Sequence, residues 1–156
     1  MKLFFASLFL MLSTTLASAC PDYAKWGSEI NITGEQLYSP RQYSIMAGGD
    51  QNLENCRINA ANWSGSLTGH VISAPDYSIS IDGVQGYDLE FRVIGACDTV
   101  LLINNAQGTW FYDDDSYGDG DPKIRLNNPG SDGVYDVWIG TFNGAPCEAT
   151  LIVESF

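Results

Sequence analysis

The chain has 156 residues, of which 45% are hydrophobic and 12% aromatic, and its 19 acidic residues against 7 basic ones give a formal net charge of −12. So acidic a chain lacks the basic face that phosphates require, which excludes nucleic acid as a partner and disfavours an anionic membrane surface. No segment approaches the roughly 20 consecutive apolar residues of a membrane-spanning helix.

The first residues read as a processing signal. Met1-Lys2 supplies a basic end, Leu3 to Leu12 is almost wholly apolar, and Ala17-Ser18-Ala19 offers a cleavage site, so residues 1–19 are expected to be a signal peptide. The mature chain then starts at Cys20 and forms one domain over 20–156, exported to the periplasm or the medium. A lipoprotein anchor at Cys20 is disfavoured, because Ala17 stands where that motif has a larger aliphatic residue. All four cysteines, Cys20, Cys56, Cys97 and Cys147, lie in the mature part, and an even number outside the cytosol can pair completely. Two disulfides are expected; of the three possible connectivities we take Cys20 with Cys56 and Cys97 with Cys147, a choice that spacing does not force. Without a Cys-x-x-Cys the cysteines offer no zinc or redox motif.

Residues 20–60, interrupted by Pro21, Pro40, Gly48 and Gly49, read as a loop-rich N-terminal segment packed on the domain and stapled by Cys20. Beyond and partly within it lie short β-branched and aromatic runs separated by Gly, Asn, Asp, Ser and Pro. They are Gln42 to Met46, His70 to Ser73, Tyr77 to Ile81, Tyr87 to Ile94, Thr99 to Asn104, Thr109 to Tyr112, Lys123 to Leu126, Tyr135 to Ile139 and Ala149 to Val153. The clearest is Tyr87 to Ile94, where Leu89, Phe91 and Val93 alternate with Glu90 and Arg92, the period of a half-buried strand. Such a pattern without a convincing helix predicts an all-β, antiparallel β-sandwich.

Between two of these strands, Asp113-Asp114-Asp115-Ser116-Tyr117-Gly118-Asp119-Gly120-Asp121 crowds five carboxylates into a turn. Carboxylates this close repel, so they must be solvated, partly protonated or neutralised by a cation; hard oxygen ligands on a flexible turn suit Ca²⁺. The run is not an EF-hand: with Asp113 at the first position, the twelfth is Ile124 rather than a bidentate glutamate. A plain solvated acidic loop is the alternative.

Around this run the sequence resembles the bacterial pre-peptidase C-terminal (PPC) domain. Asp98-Thr99-Val100-Leu101-Leu102-Ile103, the turn glycine Gly108, the acidic turn Asp113-Asp114-Asp115, the strand residue Ile124, and Gly133-Val134-Tyr135-Asp136-Val137-Trp138-Ile139 follow that family's order over about residues 98–140. The turn is extended by Tyr117 to Asp121, and the N-terminal third matches nothing in that pattern. The resemblance implies a jelly-roll-like sandwich that accompanies secreted enzymes, is often calcium-associated and has no catalysis of its own. Asp98, Asp113, Asp114, Asp115, Asp119 and Asp121 are then the expected ligands of a structural Ca²⁺.

Catalytic patterns are scarce. His70 is the one histidine, no Gly-x-Ser-x-Gly elbow occurs, and His70-Val71-Ile72 reads as a strand, so a serine-protease triad has no framework. A carboxylate pair for hydrolysis cannot be assigned from sequence. Aromatic residues give a binding lead instead: Trp110, Tyr112, Tyr117 and Trp138 would serve as a stacking platform if exposed, although one face of each strand must fill the core. The expected function is an exported, non-catalytic binding or accessory module for a secreted enzyme, another protein or a polysaccharide. A carbohydrate-binding module using these aromatics is the alternative, and a secreted hydrolase the third reading.

Overall fold

A computed structural model describes residues 20–156; the expected signal peptide lies outside the described residues. Among these, the strands are β1 Ser28–Thr33, β2 Arg41–Ala47, β3 Gln51–Asn52, β4 His70–Val71, β5 Tyr77–Asp82, β6 Leu89–Gly95, β7 Thr99–Asn104, β8 Trp110–Asp113, β9 Lys123–Leu126, β10 Gly133–Thr141 and β11 Cys147–Ser155. One helical turn, α1 Gly34–Leu37, and a 3-10 turn at Leu53–Asn55 are the exceptions to an all-β chain. The strands form a seven-stranded sheet and a four-stranded sheet of order β2-β11-β6-β9, packed face to face as a sandwich.

Period-two alternation builds the shared core. On β6, Leu89, Phe91 and Val93 face inward and are fully buried, while Glu90, Arg92 and Ile94 point to the other face. Leu151 and Val153 of β11 and Ile124 and Leu126 of β9 join them, opposite Ile79, Ile81, Leu101, Ile103, Tyr135 and Val137 of the larger sheet. Each such large side chain contributes about 1.5–3 kcal/mol by leaving water.

The middle of the larger sheet, β7 and most of β10, is buried on both faces. Val100, Leu102, Tyr112 and Trp138 point away from the shared core and are covered by Leu53, Ala60 and Leu67. Every residue of β7 is therefore buried, which is why it reads as an unbroken apolar run. The covering strap also blunts the sheet edge: Asn62 Nδ2 donates to the Tyr112 carbonyl at 2.8 Å, and Asn62 Oδ1 accepts from Tyr112 N at 3.0 Å. The Cys20–Cys56 disulfide ties the N-terminus to this strap, and Cys97–Cys147 forms the second bridge, the pairing expected from the sequence.

Residues 20–60 correct the sequence reading. The strand expected at Gln42 to Met46 is β2 of the smaller sheet, but the segment also sends an unexpected strand, β1, into the larger one. Ser28-Glu-Ile-Asn-Ile-Thr alternates in the way strands do, with Ile30 and Ile32 packed on the core. Its pairing with β5 is parallel, whereas the other named strand pairs are antiparallel. The chain leaves β1 through a capping box, where Gln36 N donates to Thr33 Oγ1 and Thr33 N to Gln36 Oε1.

β10 pairs with β5 as far as Val137 and with β4 at Thr141, leaving a gap on that edge. Asp76 fills it: its N–H donates to the Val137 carbonyl at 2.9 Å and its Oδ2 accepts from Ile139 N at 2.7 Å. Burial pushes this carboxyl from its ordinary value of 3.8 up to about 7, opposed by the Ile139 hydrogen bond.

Candidate functional site

Four connections between the two sheets meet at one end of the sandwich: β2 to β3, β6 to β7, β8 to β9 and β10 to β11. The acidic turn is the longest of them. It closes on itself through Tyr117 N to the Asp121 carbonyl and Asp121 N to the Gly118 carbonyl, both at 2.9 Å. Gly120, at φ 76°, lies against Asp98, where a Cβ would sit 3.4 Å from the Asp98 Cα.

Within the turn the carboxylates have separate tasks. Asp113 Oδ2 accepts from Ser116 N at 3.1 Å, Ser116 Oγ at 2.7 Å and Lys123 N at 2.7 Å, holding the start of the turn to its end. Asp121 Oδ1 accepts from Gly95 N at 2.9 Å and Thr99 Oγ1 at 3.3 Å, clamping the turn to the β6–β7 connection. Asp114 Oδ2 lies 3.4 Å from both Thr68 Oγ1 and the Tyr112 hydroxyl on the strap side. Burial, then the charges of Asp115 and Asp113, raise the Asp114 carboxyl above the usual range. Asp98 is raised by burial and by Asp115 and Asp121, which places those three carboxylates within one field. Asp119 is exposed at φ 55°. Thus the six expected ligands do not converge, and among the described residues no group of three or more His, Cys, Asp or Glu is arranged to hold a metal ion.

The aromatic platform needs a larger correction. Tyr112 and Trp138 are fully buried under the strap, with the Trp138 indole N–H donating to the Ser73 carbonyl at 3.4 Å, so neither can stack on an external ligand. Trp110 is half-buried between Trp138, 5.2 Å away, and Tyr23, 6.0 Å away. Tyr117 alone of the four is exposed, and its ring lies 5.5 Å from Lys123 Nζ and 5.9 Å from the Arg92 guanidinium. Those cations stand on the outer face of the four-stranded sheet, so Tyr117 turns the acidic loop toward that face. His70 makes no side-chain hydrogen bond with a serine or a carboxylate among the described residues.

That outer face is open and has two halves. One is charged: Arg92 bridges Glu90 and Glu154, each at 2.8 Å, and Arg125 reaches Asp88 at 3.1 Å. The other is a shallow hollow of about 720 Å³ lined by Ser44, Met46, Ile94, Ala96, Glu148 and Thr150 among others. Met46 and Ile94 are 57% and 47% exposed on strands flanking β11, opposite Glu148 and Thr150 in register. Gly95, hydrogen-bonded to Asp121, joins the hollow to the acidic turn. Sequence reasoning overlooked these side chains. The signal for Ile94 was present, since the parity that turns Glu90 and Arg92 outward turns Ile94 outward as well.

No protein-family model matches the chain, and none of the curated proteins matches it. One solved structure, PliG of Aeromonas hydrophila, a periplasmic lysozyme inhibitor of g-type lysozyme, is similar at 10% identity over 83% of this chain and 99% of that one, with a TM-score of 0.39. A likeness that weak decides nothing about activity or partner.

Proposed function

We propose that this protein is an exported, non-catalytic binding module whose acid-rimmed hollow on the four-stranded sheet docks a basic protein. The observation that carries the reading is the exposure of Met46 and Ile94 beside Glu148 and the acidic turn, on a sheet face left uncovered. Exposed apolar side chains ringed by charge are the composition of a protein-docking patch. The excess of 19 acidic over 7 basic residues favours a cationic partner, whose approach it would steer. Two disulfides fit an oxidising compartment.

Biolayer interferometry against basic and acidic secreted proteins of similar size tests this, with a g-type lysozyme, the target named for the structural neighbour, as one probe. Basic members are expected to bind, more weakly as salt rises and weakly or not at all to Ile94→Asp. Equal binding of acidic members would sink the reading.

A second reading keeps Ca²⁺ at the same end. Burial and then the charges of Asp115 and Asp121 raise the Asp98 carboxyl, and a cation beside these residues would relieve that repulsion, with Asp121 Oδ1 already committed to Gly95 and Thr99. A rise in Tm with millimolar CaCl₂, absent in Asp115→Asn, is the expected result; an unchanged Tm in the wild type removes it.

A further inference from the structure

A second concavity lies at the opposite end of β8 and β9 from the acidic turn, where the edges of the two sheets part. It encloses about 330 Å³ and is lined by Asn105, Gln107, Phe111, Arg125, Asn127 and Asn128 among others, at the low end of the roughly 300–1,000 Å³ typical of small-molecule sites. We propose that this cleft binds a neutral saccharide of one or two sugar units, independently of the protein-docking face.

Its chemistry is uncharged, amide-rich and partly apolar. The Asn105 Oδ1 accepts from Gln107 N at 3.1 Å and Thr109 N at 2.8 Å, which fixes the carboxamide and leaves Nδ2 without a protein partner among the described residues, on a side chain only 7% exposed. Gln107 meets Ser131 Oγ at 2.9 Å through one end of its carboxamide, leaving the other end for a ligand. The Asn127 side chain has no protein partner among the described residues. Asn128 is held at φ 43° with its N–H on Asp88 Oδ1 at 2.9 Å, which presents its own carboxamide at the rim. Phe111 packs against the core with one side and remains half-exposed on the other.

The one cation here is already neutralised. Arg125 bonds Asp88 at 3.1 Å, lies 3.6 Å from Glu90, and covers the Phe156 ring at 4.1 Å. With two carboxylates on that guanidinium, an anionic ligand finds no net positive field, and a free cation finds no open carboxylate pair. What remains is a set of carboxamide donors and acceptors beside an aromatic plane. Hydroxyl groups both donate and accept, and the C–H face of a sugar ring packs on an aromatic face.

The test is a ¹⁵N-resolved titration of the wild-type protein with glucose, galactose, N-acetylglucosamine and their β-linked disaccharides at millimolar concentration. At least one probe is expected to give saturable shifts of the Asn105, Gln107 and Asn127 side-chain amides. Affinity should fall by about fivefold in the surface variant Asn127→Ala, the loss of one hydrogen bond. No saturable shift with any probe overturns the proposal, as do shifts confined to Ile94 and its neighbours or an Asn127→Ala variant that binds as the wild type does. Because Met46 and Ile94 belong to the other concavity, failure here leaves the docking reading standing, and Ile94→Asp leaves sugar binding unchanged.

Discussion

Asp76 shows how one polar side chain can complete a sheet. It closes the gap on β10 by accepting from Ile139 N, and burial holds its carboxyl near pH 7 rather than at its ordinary 3.8. Between those two values the folded state keeps a proton that the unfolded chain has released, so stability falls as pH rises through that window. Thermal melts are expected to give a higher Tm at about pH 5 than at about pH 8, and Asp76→Asn, which can still accept from Ile139, should flatten that slope by raising Tm at the higher pH. Asp98, Asp114 and Asp136, whose carboxyls are also raised, add to the same trend; Asp88 and Asp132, lowered by hydrogen bonds, act below that window, where their stabilisation is lost as pH falls. Asp121 illustrates a different economy. Its Asp121→Ala variant should lose about 1–3 kcal/mol in denaturant unfolding, because Gly95 N–H and Thr99 Oγ1 are left without their acceptor.

At the scale of elements, the sequence was most legible where alternation is clean and least so where two layers compete. β6 shows which of its residues face the core because Leu89, Phe91 and Val93 share a parity. The same parity on β10 separates Trp138 from Tyr135, Val137 and Ile139, but parity says only that two faces differ. Which face is wet depends on the strap at Leu53, Ala60 and Leu67, remote in sequence, and that is why Trp138 and Tyr112 looked like a surface platform and are in fact core. β1 was missed because Pro21, Pro40, Gly48 and Gly49 made the whole segment read as loop, although Ile30 and Ile32 alternate correctly. The acidic turn was visible as a turn between strands, but its division into the clamps Asp113 and Asp121 and the mutually repelling Asp98 and Asp115 needs the β6–β7 connection to be brought alongside. A strap that is core on one side predicts a large effect: Leu53→Ala should cost about 2–5 kcal/mol in equilibrium unfolding, as for other buried Leu→Ala changes, while the far end of the molecule keeps its fold.

Across the whole molecule, the two concavities share no lining residue and differ in chemistry: the first lies on the outer face of β2, β11 and β6, the second at the end of β8 and β9 away from the acidic turn. One is apolar with an acidic rim, the other amide-rich and neutral. The Cys97–Cys147 bridge ties the β6–β7 connection to the start of β11 beside the first. Replacing both of those cysteines by serine should lower stability by about 2–4 kcal/mol, measured in denaturant without reductant. The wild-type protein stays the reference for binding, since the same change also frees one wall of the hollow.

The most direct test of the docking face is the affinity of wild-type and Ile94→Asp protein for a basic secreted protein that binds the wild type, with circular dichroism confirming that both are folded. A loss of about tenfold or more in the variant, steeper at low salt for the wild type, is the predicted result. An unchanged affinity in a folded Ile94→Asp protein would contradict the assignment of this face.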